Sequence, residues 1–192
     1  MLIPNPAALD FLRTRRSRPA KTLQAPVPGR DELLALLQLA ARTPDHGKLE
    51  PWRFIVLDAN AMPRLAQEVQ NRGEAMALSP EDIAKGRAQF DQGLLAVAVI
   101  ESPKASEKIP ALEQTYSAGA VCLALLNAAL AAGWGANWLS GWPSHDRGFM
   151  RNAMGLGEHE RIAGLIHIAT QSAPPPDRPR PDLNTITTWI DQ

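Results

Sequence analysis

Apolar positions recur along this chain at two spacings. Leu33, Leu34, Leu36, Leu37 and Leu39 follow Asp31 and Glu32 at helical spacing and predict a helix running to Arg42. Ala7, Leu9, Phe11 and Leu12, behind Asn5-Pro6, predict a shorter helix with a cap and a proline in its first turn. Trp52 to Leu57 reads as a strand. Asn60 is expected to cap a third helix that ends near Gly73. Ser79-Pro80-Glu81-Asp82 opens a fourth: a hydroxyl cap, a proline at the first helical position, then acids toward the positive dipole end. Leu94 to Ile100 is a continuous apolar run of strand length, the mark of a strand covered on both faces. Pro110 to Gly133 predicts a long Ala-rich helix, and Ala136 to Leu139 a short strand. Ser144 should cap a helix ending near Gly155, and Arg161 to Thr170 contains another buried strand. Strands separated by helices give a mixed α/β or α+β fold in a single domain over residues 1–192.

Two stretches interrupt this pattern. Pro19, Pro26, Pro28 and Gly29 make residues 19–29 an extended connection. Pro174, Pro175, Pro176, Pro179 and Pro181 stiffen a second stretch, an arm that extends at about 3 Å per residue. Apolar residues return in Leu183 to Ile190, so the arm 172–192 is expected to wrap another surface, that of a second subunit.

Composition narrows the chemistry. The chain has 192 residues, with Lys+Arg 20 and Asp+Glu 20, for a formal charge of +0. That balance argues against a protein built to grip a nucleic-acid backbone and leaves room for a local basic site. A hydrophobic fraction of 45% with 21% charged residues suits a folded globular chain. Cys122 is the single cysteine, which leaves no internal disulfide or thiolate metal cluster and fits a reducing, cytoplasmic setting. Met1 to Pro6 lacks the basic and apolar regions of a secretory signal. The apolar run from Ala118 to Gly133 falls short of the roughly 20 residues needed to span a bilayer. It is read as a core or interface helix.

Four segments carry candidate chemistry. Arg15 and Ser17 point the same way in an extended segment and, with Arg16, offer guanidinium forks and a hydroxyl to a phosphate. Arg42-Thr43-Pro44-Asp45-His46 places a cation and an imidazole around a polar loop. No second ligand stands at metal spacing, and no G-x-S-x-G supplies a nucleophile for a hydrolase built on Asp45 and His46. Gly133 to Trp142 lets backbone approach a flat ligand, but it follows a helix and is not a dinucleotide-binding glycine motif. Arg178 and Arg180 are two cations on the stiff arm, fit for a phosphate or for a solvated rim.

Taken in order over roughly residues 7–170, these segments resemble the flavin-dependent nitroreductase family, in its minimal branch. The matching residues are Arg15-Arg16-Ser17, Arg42 to His46 with Glu50-Pro51-Trp52-Arg53-Phe54, Gln114 to Ser117, and then Gly133, Gly135, Trp138 and Ser140-Gly141. The resemblance implies an α+β nitroreductase-like sandwich, with a mixed β-sheet flanked by helices around the long Ala-rich helix. It also implies a domain-swapped homodimer with FMN at its interface. NAD(P)H would donate the electrons, and a nitroaromatic, quinone or similar electron-poor acceptor would take them in ping-pong order. Arg15, Arg16, Ser17, Arg42, His46, Trp138, Leu139 and Ser140 would hold FMN, with Arg180 as a further phosphate contact. Ala128, Ala129, Leu130, Ala131, Ala132 and Gly133 match a segment assigned to NAD(P). Relatives often carry a basic residue where this chain has Leu139, so only backbone contacts are expected there. The flavin would carry the chemistry, with no catalytic side chain and no metal. The physics agrees: guanidiniums answer a phosphate, and a donor near the ring stabilises its reduced form. The alternative is a module that holds flavin or a small anion without turnover.

Overall fold

The architecture comes from a computed structural model of the chain, which describes residues 3–191. Helix α1 (Pro6–Thr14) starts where Asn5 Oδ1 accepts from the Ala8 N–H at 3.1 Å. The extended connection holds a short strand, β1 (Leu23–Gln24), and leads to α2 (Arg30–Ala40). Strand β2 (Trp52–Leu57) passes through a helical hairpin, α3 (Ala61–Ala75) and α4 (Pro80–Asp91), to β3 (Ala96–Glu101). The long helix α5 (Ala111–Ala131) then crosses to β4 (Gly135–Leu139). The chain closes with α6 (Arg147–Met154), β5 (Arg161–Gln171) and a short α7 (Leu183–Ile186).

Ser79 caps α4 as its sequence predicts, accepting from the Asp82 N–H at 3.1 Å. Two other caps differ from expectation. Asp58, not Asn60, opens α3; its Oδ1 accepts from the Asn60 and Ala61 N–H groups at 3.0 and 3.1 Å. Asp146, not Ser144, opens α6, accepting from the Phe149 N–H at 2.6 Å. In both places a nearby carboxylate takes the cap, because an anion gains more from the helix N-terminus than a neutral side chain does.

The sheet runs β2–β3–β5–β4, with β1 on the last two residues of β5. Every pairing among the described residues is antiparallel, so the expected mixed sheet is corrected to an antiparallel one. The reason is topological. β3 and β4 do run parallel, joined over α5, but β5 lies between them and pairs antiparallel with both.

β3 is buried at all positions, as the continuous apolar run requires. Ala96, Ala98 and Ile100 pack with Leu65, Phe90 and Phe149 from the α3, α4 and α6 side. Val97 and Val99 pack with Leu33, Val121 and Leu125 from the α2 and α5 side. By length and composition α5 would pass for a membrane span, yet Ala118, Val121, Cys122, Leu125 and Ala129 are buried in that second core. Its opposite face leaves Leu112, Tyr116 and Leu123 exposed. α1 buries nothing, and Leu183, Ile186, Trp189 and Ile190 in the tail are exposed.

Candidate functional site

The basic site begins where α1 stops. Arg15 leaves helical geometry at φ −56°, ψ 140°, and the next residues run extended along the sheet edge, where the Arg18 N–H donates to Ala136 O at 2.8 Å. That docking sets Arg15, Arg16 and Ser17 beside Asn137 and Trp138 of β4. The arm folds over them and adds Arg178 and Arg180, closing a cleft of about 510 Å³. Arg15 Nη2 donates to Ser17 Oγ at 3.4 Å, the same-side geometry the extended spacing predicts. Arg16 Nη1 donates to Pro176 O at 2.6 Å, and Asp177 lies 3.5 Å from both Arg16 and Arg180. The first part of the arm therefore rests on its own chain. The Trp138 indole lies on Gly164 of β5, where any Cβ would collide with the ring, so the cleft wall needs that glycine.

The electrostatics of this cleft are unbalanced. Arg15 Nε is buried without a hydrogen-bond partner. Its guanidinium is held below its ordinary pKa, first by burial and then by the like charges of Arg180 and Arg16. Asp177 is the single carboxylate paired with the cluster among the described residues, and it is drawn below the usual carboxylate range by the Arg178 N–H and the two arginines. Four guanidiniums around one carboxylate leave room for a multiply charged anion.

The remaining expected residues lie elsewhere. Leu139 and Ser140 line a separate cleft of about 390 Å³, between α4 and the turn after β4, with Gln89 and Trp142. Ser140 Oγ stands 3.3 Å from His145 Nε2. Trp142 Nε1 donates to Asp82 O at 3.0 Å and fills the space beside Gly86, clamping this turn to α4. His46 sits with Asp45, Glu113 and Tyr116 in a groove of about 520 Å³ beside the first half of α5. Arg42 is exposed in the turn after α2 and lines none of these clefts. The chain thus gathers Arg15, Arg16, Ser17, Trp138 and Arg180 in one cleft, with His46 in a different groove and Arg42 in neither. Ala128 to Gly133 form the last turn of α5 and its stop; Ala129 is in the core, and none of the six lines the basic cleft.

The matching motifs also contain residues that fasten the fold. Gln114 accepts from the Lys104 N–H at 2.8 Å and donates to its carbonyl at 3.0 Å. Ser117 Oγ donates to Pro44 O at 2.9 Å and accepts from Trp52 Nε1 at 3.2 Å. Arg53 forms a bidentate pair with Glu160 at 2.7 and 2.8 Å, which pulls that carboxyl down to about 2. Sequence reasoning missed Glu113 and Asp177; lone carboxylates at unremarked spacing carry no signal until the loop and the arm are folded.

Comparisons with known proteins identify the family. The family model described as "Nitroreductase family" matches residues 12–170. The Escherichia coli (strain K12) protein named "Putative NAD(P)H nitroreductase YdjA" is 31% identical over 163 residues, covering 85% of this chain and 87% of that one. A Haemophilus influenzae protein named "Putative NAD(P)H nitroreductase" is 32% identical over 165 residues, covering 85% and 88%. A nitroreductase-like family protein from Bacillus cereus superposes with a TM-score of 0.81 at 22% identity, over 100% of both chains. A Desulfovibrio desulfuricans structure, titled as a putative nitroreductase in complex with FMN, gives 0.74 at 18% identity over 98% of both. On the family match and these relatives, the chain belongs to the nitroreductase family of oxidoreductases.

Proposed function

We propose that this protein is an FMN-dependent oxidoreductase that takes hydride from NAD(P)H and passes it to a nitroaromatic, quinone or similar electron-poor acceptor in ping-pong order. The observation that carries the cofactor reading is the anion deficit of the basic cleft: Arg15, Arg16, Arg178 and Arg180 face one carboxylate, and Arg15 Nε is buried without a partner. A phosphate with nearly two negative charges and several acceptor oxygens fits that set. The Desulfovibrio desulfuricans neighbour, whose title names FMN, supports the choice of flavin. Bound flavin would supply hydride acceptance and donation.

The chain's own residues bind, orient and exclude water. Arg15, Arg16, Ser17 and Arg180 hold the anionic tail. The Trp138 indole walls the basic cleft, and the backbone from Leu139 to Ser140, which lines the next cleft, would meet the ring there. Leu139 brings no charge, so the donors there are backbone N–H groups. Ala128 to Gly133, offered to NAD(P)H by the resemblance, provide backbone and apolar surface alone.

Arg42 and His46 complete the site from a second copy. In support, one protomer leaves Leu112, Tyr116 and Leu123 of α5, Leu9 and Leu12 of α1, and the tail's Trp189 and Ile190 exposed. Such a set of uncovered apolar side chains suits a homodimer interface in which the tail wraps the partner. A cytoplasmic setting fits the one buried thiol and the nicotinamide donor. The test is an absorbance spectrum of the purified protein, followed by mixing with NADH and NADPH under argon. A flavin band that bleaches with either nicotinamide and returns on adding a quinone supports the reading. A colourless protein that takes up no added FMN contradicts it.

A further inference from the structure

His46 is held by more than its position in the sequence. Its Nδ1 stands 2.6 Å from Glu113 Oε2, in the first turn of α5. The loop that carries it is fastened on both sides. Ser117 Oγ donates to Pro44 O at 2.9 Å, and Asp45 Oδ2 accepts from the Glu50 N–H at 2.6 Å. Gly47, Lys48 and Glu50 adopt positive φ values of 72°, 53° and 47°. Two non-glycine residues in that region within three positions are a conformational cost that the fold sustains, a pattern that clusters at binding sites. Asp45 is spent on its own loop, so Glu113 is the carboxylate that holds the imidazole.

That contact has a chemical consequence. An ionised carboxylate only accepts, and a neutral imidazole has one N–H. The hydrogen bond therefore keeps the proton on Nδ1 and leaves the Nε2 lone pair as an acceptor. We propose that Glu113 is a positioning residue: it fixes the His46 tautomer and ring direction, so that Nε2 accepts from an N–H or O–H of the flavin. This rests on the reading that His46 faces the cofactor. Carboxylate partners of functional histidines act this way at metal sites, where their loss costs about 10–100-fold in affinity or activity.

The experiment uses the full chain with 15N-labelled histidine, and long-range proton–nitrogen correlation spectra at a pH where the rings are neutral. The His46 signal is assigned by its loss in His46→Ala. In the wild type, His46 should be a single tautomer protonated at Nδ1. Glu113→Ala should release it into a mixture, and FMN should bind about 10–100-fold more weakly by fluorescence titration. Glu113→Gln, whose amide oxygen still accepts, should keep both the tautomer and most of the affinity. An unchanged tautomer in Glu113→Ala overturns the proposal, as does equal loss of FMN affinity in the Gln and Ala variants. If His46→Ala binds FMN as well as the wild type while Glu113→Ala still mixes the tautomers, the assignment of Glu113 to the ring stands and the placement of His46 at the flavin fails.

Discussion

β3 and α1 are both rich in apolar residues, yet their fates differ. Every residue of β3 is buried, and Ile100 is 0% exposed; no residue of α1 is buried, and Leu12 is 60% exposed. The strand finds its partners within the chain, from α3, α4 and α6 on one face and α2 and α5 on the other. The helix shows a polar and an apolar side, and of its apolar residues Phe11 alone is half-buried while Leu9 and Leu12 stay exposed. The contrast separates two kinds of apolar pattern: one that builds the core and one that stays at the surface. The site divides along the same line. The basic cleft gathers Arg15, Arg16, Ser17 and Arg180, while His46 lies in a different groove and Arg42 lines neither.

The strongest way to sharpen the contrast is paired truncation. Ile100→Ala should cost about 3 kcal/mol in denaturant unfolding, as for other buried large-to-small changes. Leu12→Ala should leave the unfolding of dilute protein within about 0.5 kcal/mol of wild type and instead weaken self-association, read by analytical ultracentrifugation. Equal effects on unfolding would erase the distinction. Next in size, Arg15→Ala should weaken FMN binding by on the order of 100-fold while leaving the fold intact, since it removes charge-assisted donors from the tail.

Two pH effects test the core of the chain itself, in adjoining windows. Burial lowers the His167 imidazole to about 4 from an ordinary 6.5. The unfolded chain therefore takes up that proton first, and stability should fall as pH drops from about 6.5 to about 4. A His167→Leu variant should lose this slope. Glu160, drawn to about 2 from an ordinary 4.5 chiefly by its hydrogen bonds to Arg53, keeps its contribution above about 4.5 and loses it as pH falls toward 2. Glu160→Gln should flatten that lower limb. The smallest effect expected is at Cys122, whose thiol burial pushes up to about 12: native protein should resist a thiol reagent that labels it fully after unfolding.

Much of the fold was legible in the pattern. β2 matches its predicted bounds, and β3, β5 and α5 lie within a few residues of theirs, because continuous apolar runs and proline-marked starts leave few alternatives. Strand pairing was not legible. No local signal tells β4 that β5 will slip between it and β3, and that insertion alone removes the parallel ladder. The caps at Asp58 and Asp146 were missed because a nearby neutral cap read equally well in one dimension. Arg15, Arg16, Ser17 and Trp138 line one cleft. Asp177 and Glu113 did not announce themselves, since each acquires a role only when a distant segment folds onto it.

The central claim is that two copies build one site, the basic cleft from one and His46 with Arg42 from the other. It is tested most directly by mixing two inactive variants with different affinity tags, Arg15→Ala and Arg42→Ala/His46→Ala, and unfolding and refolding them together. Random pairing of two-fold dimers should restore about a quarter of the wild-type flavin sites, all in the doubly tagged fraction. Doubly tagged dimers that hold no more flavin than their parents would contradict the claim.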